Sequence, residues 1–291
     1  MLLQDLLQNP EYKQKFVLEK FIQEVLQISR EEMRTQMEKE ISESEVDQIL
    51  TYYRAYIEDK KPMEYILGHV DFFWVPFIVN ENTLIPRPET EYMITAVTEY
   101  TKENLDIKNQ KWILLDIWTW CGVLGISVLL QNPDSYDQIF FSDLSTGALF
   151  VAQKNYENLI EKEYDKEFLE SDLTAFIADK TLDVSKPITL VANLPYIPDE
   201  TFDENSPDNV QKREPRMAFV WWDDGLDLYR KMFNQLFDFK SQQKIWSVMM
   251  FLEMMTWQVE ILQKEFGDKL AFEEVKTFHF NIRIVKASFK D

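Results

Sequence analysis

The motif Asn193-Leu194-Pro195-Tyr196 carries groups that suit the binding of a planar amide. The side chain of Asn193 can accept one amide N–H and donate to the amide oxygen, while the backbone carbonyl of Leu194 can accept the second N–H. Pro195 stiffens this backbone, and Tyr196 offers an aromatic wall. Since an amide nitrogen is a poor nucleophile, holding it in line with a donor can supply most of the catalysis. Four residues alone also fit an ordinary turn, but their place directly after the apolar run Ile188–Ala192 favours a functional site.

Three other apolar runs end in a carboxylate, and we expect each to be a strand: Ile113–Asp116, Ile139–Asp143 and Phe168–Asp172. Ligands of a parallel α/β sheet bind at the carboxyl ends of its strands, so these carboxylates and Asn193 should line one rim. Asp143 lies 21 residues beyond Gly122 (143 − 122), a spacing typical of an acid that binds ribose hydroxyls. Each aspartate taken singly also fits a cap or a turn.

The elements that would position these residues fall into three stretches. From residue 112 onward strands alternate with helices, which predicts a mostly parallel sheet with helices on both faces. Residues 1–60 have apolar residues at helical spacing, and Ser42 with Glu45 forms a capping box, so a small helical bundle is expected. The stretch between them predicts three short strands, Tyr65–Leu67, Phe72–Trp74 and Phe77–Val79.

Composition restricts the partners and the compartment. With 31 Lys and Arg against 51 Asp and Glu, the net charge is −20, which repels phosphate, argues against direct sequence-specific nucleic-acid binding and suits a basic protein partner. Cys121 is the single cysteine. The sequence has neither a signal-peptide pattern nor a run of about 18 apolar residues, so a cytoplasmic protein without membrane contact is expected. The two histidines, His69 and His279, lie outside any ligand cluster and predict no metal site.

Eight segments match the motifs of one enzyme family: KPMEYILG (Lys61–Gly68), LIPRPETE (Leu84–Glu91), the Asp116–Gly122 loop, FSDLS (Phe141–Ser145), ANLPYIP (Ala192–Pro198), REPRMAF (Arg213–Phe219), DDGLDLYR (Asp223–Arg230) and FLE (Phe251–Glu253). Through them the chain resembles the peptide chain release factor glutamine methyltransferases over nearly its whole length. The resemblance implies an α/β fold: a small N-terminal helical domain (1–60) that helps grip the substrate protein, a β-hairpin linker (61–91), and a seven-stranded, Rossmann-like methyltransferase domain (92–291).

The resemblance also implies an enzyme that uses S-adenosyl-L-methionine to methylate the glutamine of the Gly-Gly-Gln motif of a release factor. The expected catalytic residues are Asn193, Leu194, Pro195 and Tyr196. The expected cofactor-binding residues are Asp116, Trp118, Thr119, Trp120, Cys121, Gly122, Asp143, Asp172, Leu173 and again Asn193. Three alternatives stay open: a glutamine methyltransferase of a ribosomal protein, an adenine amino methyltransferase, and a non-catalytic homologue that cannot bind the cofactor.

Two departures from the family pattern bear on these alternatives. The family has proline where Leu194 stands, and leucine also occurs there in enzymes that methylate adenine amino groups. Because the change keeps the backbone carbonyl, we expect the amide clamp to work. The family has glycine where Trp118 and Trp120 stand, and two indoles should fill the cofactor space.

The same replacement recurs along the chain. Tryptophan stands on family glycines at Trp74, Trp221, Trp222 and Trp257, while Trp112 and Trp246 lie in turn-like contexts. Glycine occurs 6 times and tryptophan 8 times, whereas average usage predicts roughly 20 glycines. Our hypothesis is that the source organism reads UGA codons as glycine and that the sequence shows them as tryptophan. Random decay of a degenerate homologue would not convert glycine repeatedly to one residue type.

Overall fold

The computed structural model describes residues 1–104, 110–183, 185–198, 213–215, 224–245, 247–277 and 282–290. The chain divides into two units: one consists of Met1–Gly68 with Arg213, and the other of the remaining described residues from His69 onward. Trp221, Trp222, Trp246 and His279 lie outside the described residues. The three-part division at residues 60 and 91 stays a prediction.

The first unit is helical, with α1 (Leu3–Gln8), α2 (Lys15–Leu26), α3 (Arg30–Thr35), α4 (Glu43–Ile57) and α5 (Met63–Leu67). The predicted capping box is present at the start of α4, where the Ser42 side chain accepts from the backbone N–H of Glu45. Apolar residues one helical turn apart give each of α2 and α4 a buried face. The two faces contribute to one hydrophobic core, which includes Leu18, Phe21, Ile22 and Ile49.

A β-hairpin opens the second unit, with β1 (His69–Phe72) paired antiparallel to β2 (Val75–Ile78). Phe73 and Trp74 form its two-residue turn, and both have positive φ, 49° and 67°. The strand predicted at Tyr65–Leu67 is wrong, because these residues lie in α5 and Gly68 ends that helix in a left-handed conformation. So short an apolar run carries no periodicity that separates a helical turn from a short strand.

Seven strands in the described ranges form one sheet: β3 (Trp112–Ile117), β4 (Tyr136–Asp143), β5 (Asp165–Glu170), β6 (Ile188–Ala192), β7 (Val248–Met255), β8 (Leu270–Thr277) and β9 (Ile282–Phe289). Their order is β5-β4-β3-β6-β7-β9-β8. Pairs from β5 to β7 are parallel, while β9 runs antiparallel to β7 and β8. The predicted α/β class with a mostly parallel, seven-stranded sheet is therefore confirmed.

Helices connect the strands: α6 (Glu91–Asn104), α7 (Val123–Gln131), α8 (Thr146–Leu159), α9 (Asp227–Ser241) and α10 (Thr256–Phe266), with 3₁₀ turns at Pro88–Thr90 and Ala175–Asp179. Every residue of β3 and β6 is buried, as expected for central strands covered on both faces. No helix in the described ranges combines the length and the apolar character needed to cross a membrane.

Strand register brings most of the predicted rim together. Ile117 at the end of β3 pairs with Ser142 on one side and with Ala192 on the other, so Asp143 and Asn193 follow at the same edge. The predicted strand end at Asp172 is wrong, because β5 stops at Glu170. The next residue, Ser171, donates its N–H to the carbonyl of Asp143, and the chain then turns toward a 3₁₀ helix.

Candidate active site

The turn that follows β6 is held by a buried polar network. Asn193 Nδ2 donates to Thr90 Oγ1 at 3.3 Å, and Thr90 Oγ1 donates to Glu253 Oε2 at 2.8 Å. The hydroxyl of Tyr196 donates to the other oxygen of the same carboxylate, Glu253 Oε1, at 3.0 Å. Glu253 lies on β7 beside β6, and both it and Thr90 are buried. The network therefore ties the first and last residues of the motif to one carboxylate.

The backbone of this turn is fixed from behind by α10. Gln258 Nε2 donates to the carbonyls of Tyr196 at 2.8 Å and of Asp224 at 2.9 Å. Gly225, at φ 69°, lies so close that an added Cβ would stand 2.2 Å from the Tyr196 carbonyl oxygen. The hydroxyl of Tyr229 donates to the backbone carbonyl of Glu253. These contacts fix the backbone conformation of the turn. A turn that must hold a reacting group in place needs such pre-organisation.

The ionisation of this network follows from its burial. Burial raises the pKa of Glu253, and hydrogen bonds from Thr90, Tyr196 and Asn193 oppose that rise. Burial, followed by the charge of Glu253, raises the pKa of Tyr196 well above its ordinary value. Tyr196 therefore stays protonated and remains a hydrogen-bond donor at neutral pH.

A second carboxylate positions the proline-rich segment that precedes Thr90. Glu214, whose side chain is buried, accepts from the backbone N–H of Ile85 at 3.2 Å and pairs with Arg87 Nη2 at 2.8 Å. Two of the matching segments, LIPRPETE and REPRMAF, meet in this contact. Residues 216–219, the remainder of REPRMAF, lie outside the described residues.

The loop after β3 contains a buried carboxylate whose hydrogen bonding is incomplete. Asp116 Oδ2 accepts from the Thr119 hydroxyl at 2.6 Å and from the Gly125 N–H at 2.9 Å. Its other oxygen, Oδ1, has no hydrogen-bond partner among the described residues. Burial raises the pKa of Asp116 to about 7, and the nearby charge of Asp143 adds to the rise.

Both oxygens of the predicted ribose ligand already accept backbone hydrogen bonds. Asp143 Oδ2 accepts from the Trp120 N–H at 3.0 Å, and Oδ1 accepts from the Ser145 N–H at 2.9 Å. Burial raises the pKa of Asp143 to about 6. The residue is 2% exposed, so ribose hydroxyls have no open approach to its carboxylate.

The two tryptophans of this loop occupy its interior. Trp118 and Trp120 are 2% and 6% exposed, and their rings meet edge to face with centroids 6.2 Å apart. The Trp120 indole N–H is buried without a hydrogen-bond partner in the described part of the chain. A native pocket seldom leaves such a donor unsatisfied, since that costs about 1–3 kcal/mol.

A cavity lies between this loop and the turn Asn193–Tyr196, hereafter called the acceptor turn. Its volume is about 330 Å³ when the open solvent at its mouth is included. Its lining residues come from three segments: Leu84, Pro86, Arg87 and Thr90; Trp118, Thr119, Trp120, Cys121, Val123 and Leu124; and Asn193. Ligand pockets hold roughly 300–1,000 Å³ and bury most of their ligand, whereas part of the volume here is open solvent. With Asp143 sealed and the indoles inside, the residues present do not fit S-adenosylmethionine.

Three predicted cofactor residues lie elsewhere or serve the structure. Asp172 is ion-paired with Lys231, and Leu173 is buried at φ 57° with its carbonyl accepting from Ser142 Oγ; neither lines the cavity. Burial raises the pKa of the Cys121 thiol to about 12, which suits packing and not nucleophilic attack.

Sequence reasoning did not assign a role to Thr90, Glu214, Glu253 or Gln258. Thr90, Glu214 and Glu253 lie inside segments that match the family. The motifs therefore marked these residues as candidates but did not show which residues they contact. Gln258 lies in no quoted motif. These four residues act on partners that are distant in the chain, and only the folded sheet brings them together.

Known proteins resemble the chain in sequence and in fold. No protein-family model matches it. The release factor glutamine methyltransferase of Bacillus anthracis is 31% identical over 214 residues, which are 73% of this chain and 71% of the relative. The enzyme of the same name from Flavobacterium psychrophilum is 38% identical over 179 residues, 60% of this chain and 58% of the relative.

Among solved structures, the catalytic domain of human METTL16 in complex with MAT2A 3'UTR hairpin 1 gives a TM-score of 0.57 at 13% identity, covering 96% of this chain and 91% of that one. The N-terminal domain of human METTL16 in complex with SAH gives 0.54 at 13% identity, covering 98% and 96%. At this identity the likeness shows the fold alone, a Rossmann-like methyltransferase sheet.

Proposed function

This chain belongs to the release factor glutamine methyltransferases, and on that premise we propose that it methylates the glutamine of the Gly-Gly-Gln motif in a peptide chain release factor. The family is S-adenosylmethionine-dependent, and the cofactor supplies the methyl group. The net charge of −20 suits a basic protein substrate better than a nucleic acid.

The observation that carries this proposal is the arrangement of Asn193 and its supports. Asn193 follows a central strand, is half-buried, and lines the cavity between the loop after β3 and the acceptor turn. Its amide nitrogen is bound to Thr90, so its oxygen is left to accept an N–H of the substrate amide. A carboxamide is recognised well by another carboxamide, because each offers one donor face and one acceptor face.

The chain's own residues orient the acceptor and require no strong base. The Asn193 oxygen and the Leu194 carbonyl can accept the two hydrogens of a glutamine NH₂ group, which fixes its plane. The Leu194 side chain is buried, so its backbone is the part that can serve a substrate. The Tyr196 ring closes one side while its hydroxyl stays on Glu253.

The test is methylation of a purified bacterial-type release factor by the Trp118→Gly, Trp120→Gly variant, below called the double-glycine variant. Tandem mass spectrometry should place one added methyl group on the motif glutamine. A release factor in which that glutamine is replaced by asparagine is the matched control, and it should remain unmodified.

The same assay separates the competing substrates. A ribosomal protein fraction and an adenine-containing oligonucleotide are offered in parallel with the release factor. Methyl transfer to either of them, with none to the motif glutamine, would overturn the proposal and would identify the alternative substrate directly.

A further inference from the structure

Three tryptophans have backbone conformations that normally belong to glycine. φ is 67° at Trp74, 63° at Trp118 and 52° at Trp120, in the left-handed region where a bulky side chain is strained. Eight non-glycine residues in the described part have positive φ, and three of them are tryptophan. Tryptophan supplies only 8 of 291 residues, so chance does not account for this concentration.

The loop after β3 repeats this conformation at alternate residues. φ is positive at Trp118, Trp120 and Gly122, and only the last of the three is glycine. At Gly122, where φ is 81°, an added Cβ would stand 2.8 Å from Ile126 Cδ1 and 3.3 Å from the Ala152 Cα, so a side chain there would be both strained and crowded. The backbone path of the loop thus calls for glycine at each alternate residue, and tryptophan has taken two of the three places.

Trp112 shows the opposite behaviour. It opens β3, is 3% exposed, and its ring packs edge to face against Tyr100 at 5.7 Å and Tyr136 at 6.4 Å. The turn-like context expected for it from the sequence is wrong, and its surroundings are those of a core aromatic residue. Trp257 lies in the first turn of α10 and is partly exposed, a position that either residue tolerates.

We propose that the cellular protein has glycine at positions 74, 118 and 120 and keeps tryptophan at 112. Reading of UGA as glycine would produce this difference between positions. Only the tryptophans that stand for UGA codons would be glycine in the cell, and those encoded by UGG would remain tryptophan. Without the two indoles the space beside Asp116 and Asp143 is free for the cofactor. The misfit between the loop and S-adenosylmethionine is then caused by the side chains of Trp118 and Trp120 and not by the fold.

Calorimetric titration with S-adenosylhomocysteine tests the proposal without any substrate protein. The double-glycine variant should bind at least about 100-fold more tightly than the protein with Trp118 and Trp120. Removal of the two indoles opens space in the loop, and a pocket must bury most of its ligand. Trp112→Gly is the matched control: it removes a tryptophan outside the loop, and it should lower Tm without creating binding. Circular dichroism establishes that each variant is folded.

The gene and the native protein give an independent decision. UGA codons at 74, 118 and 120 with UGG at 112, and glycine in tryptic peptides of protein from the source organism, are the expected results. UGG codons at 118 and 120, or a folded double-glycine variant that does not bind, would overturn the proposal. Failure of release factor methylation alone would count against the proposed function and not against this inference.

A second inference concerns the polarity of the network at the acceptor turn. Thr90 has one hydroxyl proton and lies 2.8 Å from Glu253 Oε2 and 3.3 Å from Asn193 Nδ2. The Thr90 hydroxyl donates to Glu253 Oε2 and the Tyr196 hydroxyl donates to Oε1, so the one Thr90 proton is directed at Glu253. The remaining lone pairs of Thr90 can then bind only a donor, which must be the NH₂ group of Asn193.

The surroundings of Glu253 keep this direction fixed. Its second oxygen accepts from the Tyr196 hydroxyl at 3.0 Å, so both carboxylate oxygens face donors. Glu253 is 2% exposed and Thr90 is 3% exposed, which leaves little access for water to replace either partner. We infer that Glu253 and Thr90 are positioning residues that hold the Asn193 oxygen toward the substrate; this role rests on the proposed function.

Glu253→Gln in the double-glycine variant replaces one carboxylate oxygen by an NH₂ group with almost no change in shape. The new NH₂ group can donate to Thr90, which then donates to Asn193 and turns its carboxamide around. Turnover should fall about 100-fold, as misplacement of a reacting group can cause. The KM for the release factor and the Kd for S-adenosylhomocysteine should change little.

Substitutions of Thr90 provide the matched pair. Thr90→Ser keeps the hydroxyl and should retain most of the turnover, whereas Thr90→Val removes it at similar volume and should lose as much as Glu253→Gln. Equal kcat in the Thr90→Ser and Thr90→Val proteins would overturn the inference. If the parent variant methylates no release factor, the proposed function fails separately.

Nuclear magnetic resonance then tests the orientation without a substrate. The Asn193 side-chain amide protons should be protected from exchange with solvent in the parent variant and exposed in the Glu253→Gln variant. Unchanged protection would contradict the inference.

Discussion

The acceptor turn after β6 and the loop after β3 lie on neighbouring strands of one rim, yet they differ in how well their polar groups are satisfied. Around Asn193, the groups of Thr90, Tyr196 and Glu253 are joined by hydrogen bonds. In the loop, Asp116 Oδ1 and Trp120 Nε1 are buried without a partner among the described residues. A protein losing its function would be expected to lose both regions.

The contrast therefore lies in hydrogen bonding: the polar groups around Asn193 are joined to partners, whereas the loop after β3 keeps only part of its bonding among the described residues. Asp116, Thr119 and Gly125 still form the hydrogen bonds that shape the loop. The two indoles are buried in the same loop and meet edge to face.

Loss of the Asn193 side chain should have the largest effect. In the double-glycine variant, Asn193→Ala should lower kcat by roughly 10²–10³-fold, the range seen when one positioned hydrogen-bonding group is removed from an active site. Steady-state kinetics with the release factor measure this. If the affinity for S-adenosylhomocysteine falls by as much as kcat, Asn193 serves the donor half and the division between the two regions fails.

Packing behind the acceptor turn can be tested at Gly225. Gly225→Ala should destabilise the fold by roughly 3 kcal/mol, because its Cβ would collide with the Tyr196 carbonyl. Gly68→Ala is the control: it has φ 83° with nothing within 4 Å of the added Cβ, so only the strain of about 1 kcal/mol applies. Chemical denaturation should separate the two, and equal losses would mean that the turn is loosely packed.

The donor loop should become more stable when its buried charge is removed. The folded pKa of Asp116, about 7, exceeds its ordinary value of 3.8, so its contribution to stability is complete at low pH and is lost as pH rises through about 7. Asp116→Asn should therefore raise Tm at pH 8 by roughly 4–8 °C, for about 2 kcal/mol, and change it little at pH 3, below the ordinary pKa of 3.8. An equal shift at both pH values would exclude ionisation as the cause.

The smallest effect is expected outside the rim, at the hairpin turn. Trp74 is 97% exposed and has φ 67°, so Trp74→Gly relieves strain without removing packing and should stabilise by about 1 kcal/mol. Trp74→Ala keeps the strain and should give no gain. Equal stabilisation by both variants in thermal unfolding would show that the ring, and not the backbone, was unfavourable.

Much of the architecture could be predicted because short runs of neighbouring residues determine where many helices and strands begin and end. The apolar run Ile188–Ala192 matches β6 at both ends, since an apolar run between polar residues defines such a strand. Short segments were less certain: Tyr65–Leu67 proved helical and the strand before Asp172 ended early. In those places the few residues did not contain a full period.

The sequence by itself determined the chemistry that the rim can offer: the strand-end acids, the asparagine turn, and the excess of tryptophan over glycine. Tertiary structure alone decided which groups meet, placing Glu253 between Thr90 and Tyr196, and Gln258 behind the turn. It also separated strained tryptophans from the packed Trp112. The reason is physical, because a residue type fixes what a group can donate or accept, while burial, φ and partners across strands arise only when distant segments fold together.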